Sequence, residues 1–235
     1  PEKYQKFWNE FGRALKEGPA EDFTNKEKIA GLLRFSSTNS KSDEQNVSLT
    51  DYIERMKADQ EVIYYITADS LMAAKNSPHL EIFKKKDIEV ILLGDRVDEW
   101  MIASLPEFSG KKLQSIAKGD LDLGKLEDKK EKDKKKKIED DAKNLVEKIK
   151  ESLGDKVAEV KVTHRLTDSP ACLVVGENDI SGNLERILKA AGQNTPNIKP
   201  ILEINPEHDL IKKLDSYQGK KEFNEYSSVI FDQAL

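Results

Sequence analysis

The string that comes nearest to a chemical motif is GDLDLGKL at 119–126, whose glycine and lysine spacing matches a phosphate loop. Such a loop needs a hydroxyl after the lysine to hold magnesium, and Leu126 stands there instead. It also needs an ordinary strand before it and a helix after it, whereas here a weak strand precedes and a charged run follows. Nucleotide binding at this string is therefore disfavoured. The histidines, His79, His164 and His208, have no carboxylate or cysteine at ligand spacing nearby in sequence, so no metal site is expected. His164 falls on a strand face, where packing or a hydrogen bond is the ordinary role. Cys172 lies in an apolar strand with no activating base in view, and Ser169 sits in a turn without the glycine-flanked elbow of a hydrolase. No catalytic set emerges. Two apolar features remain: Trp100-Met101-Ile102, following two acids at a helix start, and the stripe Ile180, Leu184, Ile187 and Leu188. Periodicity favours core faces for both; if exposed, they would grip unfolded chains or a partner.

The elements that must carry these residues divide at a charged stretch, KLEDKKEKDKKKKIEDDAK at 125–143. With almost no apolar side chain before Ile138, it belongs to no core. Its mixed signs support helix pairs rather than a nucleic-acid patch, which would need unbalanced charge and interleaved aromatics. Ile138, Ala142, Leu145, Ile149 and Leu153 then make one helical stripe stopped by Gly154. The reading is a junction from 125 to about 134 and a helix beyond it, with flexibility before Ile138.

Ahead of the junction, Tyr4, Phe7, Trp8, Phe11 and Leu15 predict a helix ended by Gly18-Pro19. Thr24 with Glu27, and Ser48 with Asp51, read as capping boxes of two further helices, with a polar loop at 36–46 between them. EVIYYIT at 61–67 and IEVILLG at 88–94 read as parallel strands around a helix begun by Ser77-Pro78, and KLQSIAK at 112–118 as a weaker third. Asp98 to Leu105 reads as a helix. Behind the junction, VAEVKVTHRL at 157–166 and ACLVVG at 171–176 are predicted to pair antiparallel, with PILEIN at 200–205 a third strand. Asn205-Pro206-Glu207 reads as a helix start, and Phe223, Tyr226, Ile230 and Ala234 as a closing apolar stripe in want of a partner. The expected fold class is α/β then α+β: helices with a small three-layer α/β/α subdomain over 1–126, then a mixed domain with a small antiparallel sheet and helices over 127–235.

The chain has 235 residues, a net charge of −5, 37% hydrophobic and 35% charged residues. These totals suit one or two domains and argue against a nucleic-acid protein. No apolar run approaches a bilayer span, so no membrane role is expected, and a lone cysteine suits a reducing, cytoplasmic compartment. A sequence that opens at Pro1 inside a helix and closes at Leu235 in mid-stripe reads as a fragment.

Five strings carry a resemblance: YQKFWNEFGRALKEGPAEDF at 4–23, IAGLLRFSST at 29–38, SLTDYIERMK at 48–57, IYYITADS at 63–70 and THRLTDSPACLV at 163–174. In order and over nearly the whole chain, they resemble the bacterial branch of the ninety-kilodalton heat-shock chaperone family. The resemblance implies that 1–126 is the latter part of a middle domain and 127–235 a truncated C-terminal dimerisation domain. It further implies that ATP and magnesium belong to an N-terminal domain not included here, so this fragment would hold no cofactor and be no enzyme. By the same resemblance Trp100 and Met101, with Ile180, Leu184, Ile187 and Leu188, would contact unfolded or partly folded clients, and Phe223, Tyr226, Ile230 and Ala234 would serve dimerisation. The expected partners are clients, a second copy and cochaperones. The other reading is a structural scaffold that only holds two subunits together.

Overall fold

The computed structural model describes residues 2–40 and 42–235. The chain divides into two compact units, Pro1–Ile116 with Asn183–Gly192, and Ala117–Gly182 with Gln193–Leu235.

The first unit opens with α1 (Glu2–Glu21), which turns Trp8 inward and leaves Phe7 and Phe11 exposed. The helix runs past the expected stop at Gly18-Pro19. Gly18 is there for close packing instead: a Cβ on it would stand 2.9 Å from Ile29 Cγ2. Helix α2 (Lys26–Leu32) lacks the expected Thr24 box; Asn25 is the N-cap, and the Asp22 carboxylate accepts from the Asn25 backbone N–H (3.1 Å) and Nδ2 (2.9 Å). The stretch expected to be a polar loop begins with a buried strand, β1 (Ser36–Ser37). Its hydroxyls are satisfied by Asp43 O (3.2 Å) and Glu89 Oε1 (2.6 Å), which is what allows two serines into the interior. Helix α3 (Leu49–Arg55) starts at the predicted Ser48/Asp51 capping box.

Then follow β2 (Val62–Thr67), α4 (Leu71–Lys75), a 3-10 turn at Pro78–Leu80 capped by Ser77, α5 (Glu81–Lys85), β3 (Ile91–Leu93), α6 (Asp98–Ser104), β4 (Glu107–Phe108) and β5 (Lys111–Ser115). The five strands lie in the order β1-β3-β2-β5-β4. The inner three are parallel and both edge strands antiparallel. Side chains alternate across the sheet. Ile63, Tyr65, Ile91 and Leu93 share a core with Trp8, Leu33, Leu49 and Met101. Tyr64 faces the other way, its ring 4.8 Å from that of Phe83 on α5. Helices on both faces make the expected three layers.

In the second unit, α7 (Lys129–Leu153) begins earlier than the apolar stripe suggests. Asp128 and Glu131 form a capping box, so the charged run itself is helix from Lys129. The helix buries Ala142, Leu145, Ile149 and Leu153 only, and Gly154 ends it as predicted. Strands β6 (Glu159–Val162) and β7 (Ala171–Val174) do not pair with each other. After α8 (Gly182–Ala190), strand β8 (Ile201–Ile204) enters between them, parallel to β6 and antiparallel to β7. The sheet is thus mixed, and β8, bonded on both sides, contributes Leu202 and Ile204 to the core. Helix α9 (Asp209–Asp215) is capped by His208 rather than Asn205: its Nδ1 accepts from Leu210 N–H at 3.1 Å. Helix α10 (Glu222–Ala234) lays Phe223, Ile230 and Phe231 on the same core.

Candidate client-contact surfaces

Trp100 lies in the first turn of α6, whose start is anchored. Gly94, ahead of it, approaches the backbone of Ser70 and Leu71 so closely that a Cβ would come within 2.5 Å of Leu71 N. Asp98 Oδ2 accepts the Asp95 N–H at 2.9 Å. Lys16 Nζ, from α1, stands 2.9 Å from Asp95 Oδ2 and 2.7 Å from Asp98 Oδ1. Gln45 adds a bond to Asp95 at 2.9 Å and accepts from Trp8 Nε1 at 3.1 Å. The two acids respond differently. Burial raises the pKa of Asp98 beyond what Lys16 recovers. Asp95 is also penalised by burial, but Lys16, Gln45 and Arg13 together bring it below the usual carboxylate range.

At about 100° per residue, Asp98 and Met101 fall on one side of α6 and Trp100 on the other. Met101 is 1% exposed and belongs to the core, so it offers no surface as the structure stands, whereas Trp100 is 46% exposed. Of the second predicted stripe, Ile180 precedes α8 and is half-buried in the second unit, while Leu184, Ile187 and Leu188 are half-buried on α8 within the first. Asn183 Nδ2 donates to Glu99 Oε1 at 2.8 Å, and Arg186 pairs with Asp69. Residues flanking the two predicted contact regions, Glu99 beside Trp100 and Asn183 beside Leu184, thus meet within one compact unit.

The closing stripe separates into two faces. Phe223 and Ile230 are buried in their own core, and Ala234 is half-buried. Tyr226 is 39% and Val229 60% exposed, and with Leu210 and Gln233 they line a groove of about 230 Å³. Sequence reading missed Val229 and Leu210. The available signal was that α10 is apolar on more than one side, since Phe223, Tyr226, Val229, Ile230, Phe231 and Ala234 cannot all face one core.

The remaining chemical candidates have structural partners. At GDLDLGKL, the Gly124 N–H donates to Asp122 Oδ1 at 2.8 Å, and the Gly119 carbonyl accepts from Arg165 Nη2 at 2.8 Å. A 3-10 turn follows at Gly124–Leu126, where a phosphate loop would open an α-helix. His164 Nε2 is 3.0 Å from Glu139 Oε1. Cys172 is buried with Sγ 3.9 Å from Glu203 Oε2, and Glu203 is itself engaged by Arg165 Nε at 2.5 Å. Among the described residues, no group of three or more histidine, cysteine, aspartate or glutamate side chains is placed to hold a metal ion, and no helix is long and apolar enough to cross a membrane.

Comparison with known proteins accounts for this arrangement. The family model described as Hsp90 protein matches residues 1–235. The chain is 60% identical to the chaperone protein HtpG of Nitrosococcus oceani over 99% of its own length and 37% of the relative's. It is 62% identical to the HtpG proteins of Dechloromonas aromatica and Aromatoleum aromaticum, over 99% and 100% of its length and 36% of theirs. The chain therefore spans little more than a third of the length of these curated relatives. With the family model matched from end to end, and the resemblance of its five strings carried across the whole sequence, the chain belongs to the Hsp90 family.

Proposed function

We propose that this chain is the client-holding and self-associating part of an ATP-dependent Hsp90-type chaperone, working in the cytoplasm. Nucleotide chemistry would belong to portions of the parent protein other than this segment, and cochaperones would act on the assembled parent. The observation that carries the reading is Trp100, a large aromatic kept 46% exposed by a helix whose opposite side is locked into the core. An exposed tryptophan is costly for a chain that has no use for it, since about 25 cal/mol is lost for each Å² of apolar surface left in water. Leu184, Ile187 and Leu188 extend the apolar surface within the same unit. Both regions would hold extended apolar segments weakly, as suits a protein that must release what it binds.

Roughly 100 Å² of Trp100 remains to be buried, and covering about two thirds of it would be worth roughly 1.5–2 kcal/mol. Changing Trp100 to serine should then weaken binding of reduced, carboxymethylated α-lactalbumin by roughly ten- to thirty-fold, and Leu184→Ser by less. Unchanged affinity in the double variant would remove this surface from the client site. The reading of a pure scaffold rests on a different feature, the groove beside Tyr226 and Val229, and it gains if client binding is absent while self-association persists.

A further inference from the structure

We propose that Lys16 is the positioning residue for client contact, fixing the rotation of α6 so that Trp100 stays on the surface. The inference rests on the reading of Trp100 as a client contact. Lys16 is 1% exposed and Asp98 equally so. Lysine is rarely buried so completely unless paired, and here the ammonium bridges two carboxylates three residues apart, Asp95 just ahead of α6 and Asp98 at its first position. The ammonium also lies over an aromatic face, with Nζ 5.4 Å from the centre of the Phe35 ring.

The geometry explains what the bridge controls. Two residues separate Asp98 from Trp100, a rotation of about 200°, so whatever holds Asp98 inward holds Trp100 outward. Seven residues long, α6 is also held by the Asn183 bond to Glu99 and by Met101 in the core, and the bridge to Asp98 fixes the angle at its first residue. Met101 and Leu105 are apolar and would tolerate some turning in their core, whereas a carboxylate bonded at 2.7 Å would not. Without the ammonium, Asp98 loses the ion pair that fixes its angle; it can keep its charge only where the helix turns it back to water, and otherwise takes up a proton. That turn carries Trp100 towards the interior and removes it from the face that meets a client. Lys16 never touches the client under this scheme; its effect reaches Trp100 through Asp98.

The test compares Lys16→Met and Lys16→Arg in the full chain, with acrylamide quenching of tryptophan fluorescence and affinity for reduced, carboxymethylated α-lactalbumin as paired readouts. Trp8 is buried, so quenching reports chiefly on Trp100. Lys16→Met should protect Trp100 from acrylamide and weaken client binding about ten-fold, while Lys16→Arg, keeping the charge, should restore most of both. In a Trp100→Ser background, Lys16→Met should have no further effect on affinity. If Lys16→Met does not fold, Asp98→Ala removes the partner of Lys16 on α6 itself and should shift both readouts in the same direction. A folded Lys16→Met chain with unchanged quenching and affinity, in which Trp100→Ser still abolishes binding, overturns the role of Lys16 and leaves the client surface standing. If Trp100→Ser alone leaves affinity unchanged, the client surface itself falls, and the positioning role with it.

Discussion

Replacing Arg165 by methionine tests how the second unit is held together. Arg165 and Glu203 are both buried and joined twice, Nε to Oε2 at 2.5 Å and Nη2 to Oε1 at 3.0 Å. The guanidinium also donates to the Gly119 carbonyl at 2.8 Å, so one side chain ties the segment entering the unit, the turn after β6 and the middle of β8. Methionine fills much of the volume but leaves the Glu203 carboxylate without a counterion in the interior. Removing one partner of such a pair costs about 3–5 kcal/mol, a large part of the roughly 5–15 kcal/mol that keeps a domain folded. Native-state hydrogen exchange gives a local reading: amides of β8 should exchange with a free energy lowered by that amount, while those of β2 and β3 serve as the internal reference. The double variant Arg165→Met with Glu203→Leu removes both charges and should recover most of the loss, because the pair's own net contribution is small. A β8 change below about 1 kcal/mol in the single variant, or a double variant no better than the single, would show that water or a rearranged neighbour compensates Glu203 and that the burial argument is wrong.

His164 gives a pH signature. Burial, with Lys135 adding to it and the Glu139 bond opposing, lowers its native pKa from 6.5, so the unfolded chain takes up the proton first. Its contribution to stability is complete above pH 6.5 and is lost as pH falls from there towards the lowered native value. His164→Gln should therefore lose less stability than the parent between about pH 7.5 and about pH 5 in urea titrations; parallel curves would contradict this. On α10, changing Tyr226 and Val229 together to serine should shift sedimentation of the chain towards the monomer without lowering its helix content, since neither side chain is part of the buried core. A parent chain that is already monomeric at every concentration would exclude that face as a self-association surface.

The parts of this fold that sequence reading reaches are those set by local pattern. The β-branched and aromatic run of β2, the Ser48/Asp51 box and the Ala142 to Leu153 stripe need only neighbours along the chain to be recognised. What escapes is decided across long separations. That β8 enters between β6 and β7 is a pairing choice made across 42 residues to β6 and 27 to 33 to β7, which no local alternation records. Buried cations escape for another reason: Lys16 and Arg165 look in sequence like any solvated charge, and their partners Asp98 and Glu203 are distant along the chain. The surface candidates follow the same division. Trp100 could be singled out by type, but that its neighbour Met101 belongs to the core, and that Phe223 and Ile230 face away from Tyr226, depends on packing.

Helix α7 grips its unit by its second half alone. Ala142, Leu145, Ile149 and Leu153 are buried, whereas before Ala142 its attachments are charged or polar: Lys134 to Glu207, Lys135 to Glu127 and Glu139 to His164. The 13 residues before Ala142 reach roughly 20 Å at 1.5 Å each, with no core position among them to preserve. Their number is therefore a free dimension of the molecule. One residue added there would turn the side chains ahead of it by about 100° about the helix axis, parting Lys134 from Glu207 and Lys135 from Glu127, and a full turn of residues would nearly restore their heading. In either case the four anchors would not move, so an insertion ahead of Ala142 would disturb surface ion pairs and leave the core beneath them intact.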